Sequence, residues 1–416
     1  MAHDAVRDDV PLAIVGVDFR IASAQWRNVL LLDEADRAAL ADALPAACQA
    51  DGLVVLETCN RVEWVTTAPN PAWATDILRA QVVARWQRVA SAGAAVAQPA
   101  VLPQPAVLPQ PAVWTGIEAV RHLQRVAVGL ESFVQGEREI AGQLQRALTT
   151  ARQSGRSAGA LNALQTALGR TVRKVQRLTQ WRHAARGVHG LAVDALDAAL
   201  PVHPGRVRHV AVVGMGEIGR KTAGLLATRP GWKVHRFNRT TRDGSGWLAL
   251  DGLHEALSRC DAVVVATGAR LPVVDLRGRL RSRAHPLVIL DLGAPAQVAT
   301  GPRDPVRLLS LDDLLRAPAA VPAAEERAAV EALVDDGVAE FLVEHRKREL
   351  AGLLRAIHDT HARTAHERLP AVLSDALPDL APERRRRLEL AVAELLRDHA
   401  RTLVREVEAA ACRVGG

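Results

Sequence analysis

The stretch HVAVVGMGEIGRKTAGLLA, residues 209–227, constrains this chain more than any other. Val210 to Val213 read as a short buried strand, and a helical pattern follows at once. Between them Gly214, Gly216 and Gly219 keep the G-x-G-x-x-G spacing of a dinucleotide fingerprint, in the strand–turn–helix context it requires. The first glycine permits a tight turn, the second lets backbone approach a pyrophosphate, and the third lets helix and strand pack. The helix N-terminus offers amide donors to the phosphates. The next strand, KVHRFNRTTR (233–242), ends in Asn238, Arg239 and Thr240. An acidic residue there would bind ribose hydroxyls and repel a 2′-phosphate, whereas an Arg suits NADP. Further strands in DAVVVATGA (261–269) and PLVILDLGAP (286–295) complete the pattern of a doubly wound parallel sheet. The expected cofactor-binding residues are Gly214, Met215, Gly216, Glu217, Ile218, Gly219, Asn238, Arg239 and Thr240. A Rossmann-like sheet that binds something else is the plainer alternative.

The amino-terminal third has a different texture. PLAIVGVDFR (11–20) reads as a strand, and DEADRAALADAL (33–44) as a helix starting at an Asp cap. VVLETCNRVEW (54–64) is a short buried strand ending in a polar cluster around Cys59. A guanidinium two residues on, Arg61, would favour the nucleophilic thiolate. The plainer reading of the same cysteine is a small buried hydrophobe at a strand end. A helix is expected from about Trp73 to Val89. After it, residues 98–113 repeat with a six-residue period, and their prolines forbid helix and favour an extended polyproline spacer. From Gly116 the pattern is helical, with Val120, Leu123, Val126 and Ala127 as its stripe and His122 beside it. Gly129 should end that helix, and a second runs from Glu137 to Arg152.

Beyond Asp312 strands stop. Residues 323–366 read as one long helix or two in tandem, Pro370, Pro378 and Pro382 punctuate a turn, and the remainder is helical again. Leu388, Val392, Leu395, His399, Leu403 and Val407 line one face of that last helix, an apolar stripe that suggests dimerisation. Arg384 to Arg387 at its start read as a solvated basic turn or an outward contact for RNA phosphates.

Composition excludes more than it assigns. The 416 residues suffice for two or three domains. Cys48, Cys59, Cys260 and Cys412 are widely spaced, which suggests neither a disulfide framework nor a zinc ribbon, and no metal is expected. No signal-peptide pattern opens the chain and no apolar run is long enough for a membrane span, so a cytoplasmic protein without membrane contact is expected. The net charge of +7 permits an RNA partner but does not identify one. The four lysines make Schiff-base chemistry an unattractive reading.

Together these segments resemble the glutamyl-tRNA reductases over almost the whole length and in the same order. TCNRVE (58–63) is similar to that family's nucleophile motif, and HLQRVAVGLESFVQGEREIAGQ (122–143) to its substrate-pocket segment. VVGMGEIG (212–219) and NRT (238–240) resemble its NADPH signature, and EALVDDGVAEF (331–341) its long connecting helix. The resemblance implies an α/β multidomain chain. Residues 1–155 would form an α+β catalytic domain with the Pro-rich insertion. Residues 156–318 would hold connecting helices and the Rossmann-like NADP domain, and 319–416 the long helix and a helical dimerisation domain. It implies NADPH-dependent reduction of tRNA-bound glutamate to glutamate-1-semialdehyde through a thioester on Cys59, the first step of the five-carbon tetrapyrrole route. His122 would stand near the reacting ester. Thr58, Asn60, Arg61, Ser132, Glu137, Arg138, Glu139 and Gln143 would hold the amino acid, with Arg61 on its side-chain carboxylate. Glutamyl-tRNA, a second copy of the chain and a semialdehyde aminomutase would be its partners.

The chain departs from the family pattern at four places. Glu139 replaces a glutamine, Phe19 a histidine, His189 a serine and Ala296 an arginine. These leave open a paralogue acting on another aminoacyl-tRNA, or a non-catalytic homologue that binds tRNA or a true reductase. An NADP-linked dehydrogenase of a free metabolite, with Cys59 structural, is a third reading.

Overall fold

A computed structural model describes residues 10–93, 108–137, 139–157, 159–181, 187–200, 205–241, 244–269, 271–277, 280, 285–293, 296–301, 304–316 and 323–413. The first part is a four-stranded antiparallel sheet in the order β2-β3-β1-β4, formed by β1 (Leu12–Asp18), β2 (Gly52–Glu57), β3 (Arg61–Thr67) and β4 (Ala112–Thr115). Side chains alternate across a strand, and here both faces are covered. Ala13, Val15, Val17, Leu53, Val62 and Trp64 pack under α2 (Glu34–Cys48) and α3 (Pro71–Gly93). Leu12, Ile14, Val54, Leu56 and Val65 pack under α4 (Gly116–Ala127), α5 (Glu139–Gln153) and α6 (Gly159–Leu178). The short helix α1 (Ala24–Asn28) precedes α2, whose expected cap is present: Asp33 accepts from the Asp36 amide.

Two expectations shift. Residues 98–107 of the proline-rich repeat lie outside the described residues, but its last two, Ala112 and Val113, belong to β4 and pair with β1. Helix α6, placed by the sequence after the first domain, contributes Leu161, Leu164 and Leu168 to the core beneath the first sheet. Its apolar face is buried between that sheet and the carboxy-terminal long helix.

The helix α7 (Gly187–Ala199) leads into a six-stranded parallel sheet ordered β12-β10-β8-β5-β6-β7. Its strands are β5 (Arg208–Val213), β6 (Trp232–Asn238), β7 (Leu248–Ala249), β8 (Ala262–Val265), β10 (Leu287–Asp291) and β12 (Val306–Ser310). The pair β9 (Val274–Asp275) and β11 (Val298–Ala299) stands apart. Helices α8 (Glu217–Thr228), α9 (Leu253–Leu257) and α10 (Leu311–Arg316) alternate with these strands. The order reverses at β5, the switch point where such sheets bind ligands.

Helix α11 (Ala324–Arg363) is one continuous helix that packs back on α4 and α6 through Val330, Val334, Val338 and Phe341. Gly337 allows that approach, because a Cβ there would lie 2.2 Å from Thr171 Oγ1. A π-helical turn, Thr364–Arg368, joins α11 to α12 (Leu369–Ala376). Pro370 therefore does not break the chain; it occupies the first turn of α12, where no amide is needed. Helix α13 (Pro382–Arg413) turns Ala393 and Ala400 inward, while Leu388, Leu395 and His399 of the expected stripe face solvent.

Candidate active site

Strand parity decides which side chains meet. Arg61 and Glu63, two apart on β3, point to the face that α4 covers, and α4 brings His122 there. Arg61 Nη1 donates to Glu63 Oε1 at 2.7 Å, and His122 Nε2 lies 3.0 Å from the same oxygen. Arg61 Nη2 also donates to the Glu131 carbonyl. The His122 ring stacks on Trp114 with centroids 3.6 Å apart. Gly16 makes room for this, since a Cβ there would meet Glu63 Cγ at 2.9 Å and Trp114 at 3.1 Å. Arg61 and Glu63 are each 1% exposed. Burial alone raises the Glu63 carboxyl, and the charges and hydrogen bonds of His122 and Arg61 outweigh it, holding it down at about 2.

Cys59 sits at the tip of the β2–β3 hairpin. The Thr58 amide donates to the Arg61 carbonyl at 2.9 Å, and Thr58 Oγ1 accepts from the amides of Asn60 and Arg61, both at 3.1 Å. A hydroxyl that satisfies two turn amides fixes the loop. The Phe19 amide donates to the Asn60 carbonyl, and Arg27 Nη2 donates to the Cys59 carbonyl at 2.8 Å. Burial first, then the Glu137 carboxylate, push the Cys59 thiol up to about 12, against the pull of Arg27. Arg61 was expected to be the thiolate-favouring cation. The guanidinium that acts on the thiol is instead Arg27, because Arg61 turns along its own strand to Glu63. Nothing in the pattern around Arg27 flags it; its neighbourhood with Cys59 exists only in the fold.

Thr58, Cys59, Asn60, Arg61, Ser132, Glu137, Glu139 and Gln143 line one cleft of about 350 Å³. Arg138 lies outside the described residues. His122 does not line this cleft; it stands behind Arg61 and Glu63. The opposite wall comes from the parallel sheet: Glu217 and Ile218 of the glycine loop, Ala266, Thr267 and Gly268 after β8, and Leu292 after β10. Val188 and His189 of α7 also line it. Across the cleft Lys221 pairs with Glu139 and Glu217, and Phe19 and Phe133, edge-on at 5.4 Å, pack together against the core of the parallel sheet. Lys221 and Thr267 were not singled out by the sequence.

The glycine loop fits a dinucleotide. Gly214 has φ +94°, and a Cβ on it would lie 2.6 Å from the Ala266 carbonyl oxygen. A Cβ on Gly219 would come within 1.8 Å of the Gly214 oxygen, so helix and turn could not pack. Around Gly216 nothing lies within 4 Å of that position, which leaves open space at the α8 N-terminus. Met215 is buried, and its amide donates to Asn238 Oδ1 at 3.1 Å. Asn238 Nδ2 donates in turn to the Thr240 carbonyl, and Arg239 and Thr240 are exposed at the end of β6. Among the described residues no group of three or more His, Cys, Asp or Glu is placed to hold a metal ion, and no helix is long and apolar enough to cross a membrane.

A dehydrogenase-type dinucleotide fold closed over a hairpin-borne cysteine defines an oxidoreductase. Residues 15–179 match the family model "Glutamyl-tRNAGlu reductase, N-terminal domain", and residues 202–317 the model "Shikimate / quinate 5-dehydrogenase". A glutamyl-tRNA reductase of Thermus thermophilus is 31% identical over 399 residues, 89% of this chain and 91% of that protein. One from Pseudarthrobacter chlorophenolicus is 31% identical over 353 residues, 81% of this chain and 76% of its own length. The solved structure of a glutamyl-tRNA reductase from Methanopyrus kandleri is 24% identical, covers 96% of this chain and 98% of that one, and has a TM-score of 0.43. The chain belongs to the glutamyl-tRNA reductase family.

Proposed function

We propose that this chain reduces the glutamyl group of glutamyl-tRNA to glutamate-1-semialdehyde with NADPH, by way of a thioester on Cys59. One observation carries the reading: Cys59 and the glycine loop of the parallel sheet open into the same cleft. An acyl group held on that sulfur would therefore face a bound nicotinamide. An aminoacyl ester is electrophilic enough for a thiol, whereas free glutamate is not. NADPH bound at the glycine loop would supply the hydride.

The residues of this chain divide the remaining work. Cys59 attacks the ester carbonyl and releases the tRNA. Arg61 presents its guanidinium to the substrate carboxylate, and Glu63 and His122 hold that guanidinium in place from behind. His122 is thus a positioning residue, one shell further from the ester than the family pattern implies. Thr58, Ser132 and Gln143 offer hydrogen-bonding groups to the amino acid, and Asn60 adds a buried Oδ1 that has no partner among the described residues. Glu139 is held by Lys221 and serves domain contact more than substrate. Arg239 and Thr240 take the 2′-phosphate. The domain division at 155/156 and 318/319 is proposed on function, with α6 packing back onto the first domain.

The exposed stripe on α13 fits a second copy of the chain, and the product, a reactive aldehyde, fits handover to an aminomutase. The relatives favour neither a paralogue for another amino acid nor a silent homologue. The test is aldehyde trapping with NADPH and a panel of aminoacyl-tRNAs. Glutamyl-tRNA alone should yield aldehyde; an equal yield from another aminoacyl-tRNA, or none from any, would overturn the proposal.

A further inference from the structure

Among the described residues that line the cleft, Glu137 is an acid with no hydrogen bond or ion pair. Glu137 stands at the end of the loop between α4 and α5, whose backbone is fixed on both sides. Gly129 (φ +77°) and Gly136 (φ +82°) make its turns. A Cβ on Gly129 would press within 3.0 Å of both the Glu137 amide nitrogen and its carbonyl oxygen, and one on Gly136 within 2.5 Å of the Trp181 oxygen. The Gly136 amide donates to the Gly129 carbonyl and the Glu137 amide to the Val134 carbonyl, each at 3.1 Å. The loop thus delivers the Glu137 side chain to the cleft that Cys59 lines.

The other carboxylates that line the cleft are engaged. Glu57 is bound by Arg37 and the Leu32 amide. Glu139 and Glu217 share Lys221. His122 is tied to Glu63 and stacked on Trp114, away from the cleft. His189, on α7, also lines the cleft; burial first lowers its imidazole below the usual value, with the charges of Glu139, Lys221 and Glu217 acting on it. The Glu137 carboxylate makes no hydrogen bond or ion pair among the described residues, and it is the charged group that acts most strongly on the Cys59 thiol.

We propose that Glu137 is the base that takes the proton of Cys59 as the thiol attacks the aminoacyl ester, a role that rests on Cys59 being the nucleophile. In that step a sulfur–carbon bond forms and the ester carbon–oxygen bond breaks. The thiol proton passes to Glu137 and from there to the departing ribose oxygen, so Glu137 ends ionised as it began. Nothing is oxidised or reduced until hydride arrives from NADPH. The sulfur then leaves as thiolate and recovers a proton from water.

The charges around the pair suit this exchange. The thiol, at about 12, is protonated in the resting cleft. Burial and then the neighbouring Glu139 raise Glu137 to about 7, with Glu217 adding to the rise and Lys221 and Arg61 opposing it. A base poised near neutrality is what such a transfer needs.

The experiment is single-turnover acylation of the full chain by labelled glutamyl-tRNA without NADPH, between about pH 5.5 and 9. The wild-type rate should rise through about pH 7 and level off as Glu137 ionises. Glu137→Gln should fall by about 10²–10⁴-fold and climb steadily with pH instead, while still binding glutamyl-tRNA. Glu137→Asp should lie between them and keep the plateau. NADPH added to preformed acyl-Glu137→Gln protein should still release aldehyde, with a loss far smaller than that in acylation. Acylation of Glu137→Gln at the wild-type rate and with its pH profile would overturn the assignment, and so would the same loss in His189→Gln. Label on Cys59→Ser would instead refute the nucleophile itself, a separate failure.

Discussion

Glu63→Gln isolates the buried charge on which the Arg61 side of the cleft depends. Its carboxylate is 1% exposed and binds Arg61 and His122 through one oxygen. A carboxyl held at about 2 instead of its ordinary 4.5 contributes about 3 kcal/mol to folding at neutral pH. Because the folded value lies below the unfolded one, this stability is complete above about pH 4.5 and is lost as pH falls through about 2. Removing the charge also strands the Arg61 guanidinium, for which a cost of about 3–5 kcal/mol is usual. The assay is amide hydrogen exchange of β3, corrected for intrinsic rates, with β8 of the other sheet as internal reference. At neutral pH the β3 amides of Glu63→Gln should exchange about a hundredfold faster than wild type, the equivalent of about 3 kcal/mol, and the gap should narrow towards pH 2. A gap that is constant with pH, or smaller than about 1 kcal/mol at neutrality, would refute the reasoning.

Arg239→Ala should raise the KM for NADPH about ten- to a hundredfold and leave that for NADH nearly unchanged, since a charge-assisted phosphate contact contributes about 1.5–3 kcal/mol; steady-state kinetics with both cofactors checks this. Gly219→Ala must displace the Gly214 carbonyl, 1.8 Å from the new Cβ, so NADPH titration should show lost binding while acylation of Cys59 by glutamyl-tRNA persists. Leu395→Glu places a charge on an α13 side chain that is 69% exposed in the single chain, and sedimentation should show dimers replaced by monomers with the fold intact.

What the sequence disclosed depended on whether a residue's reason is local. Gly214 is set by its own positive φ and Gly219 by the Gly214 carbonyl five residues back, and Asp33 caps a helix three residues away, so these were legible. Cys59 was readable as a strand-end thiol, and the fold adds that Thr58 ties the turn with two hydrogen bonds. Arg27 was invisible because its partner, the Cys59 carbonyl, lies 32 residues on and carries no side-chain signature. The Arg61–Glu63–His122 chain needs β3 parity together with the docking of α4, which periodicity cannot supply. Strand β4 hides behind a proline run and spans only four residues. On α13 the periodicity marked Leu388, Leu395 and His399, which face solvent, whereas Ala393 and Ala400 make the close approach to the chain's own helices, because small residues let backbones draw together.

The most direct measurement is the fate of the glutamyl label when NADPH is withheld. Full-length protein mixed with glutamyl-tRNA, quenched in acid and digested, should carry one glutamyl mass on the peptide that contains Cys59. That adduct should vanish as aldehyde when NADPH is added, and Cys59→Ser should form neither adduct nor aldehyde. Aldehyde from Cys59→Ser, or a label that requires NADPH or sits on another residue, would contradict the thioester account.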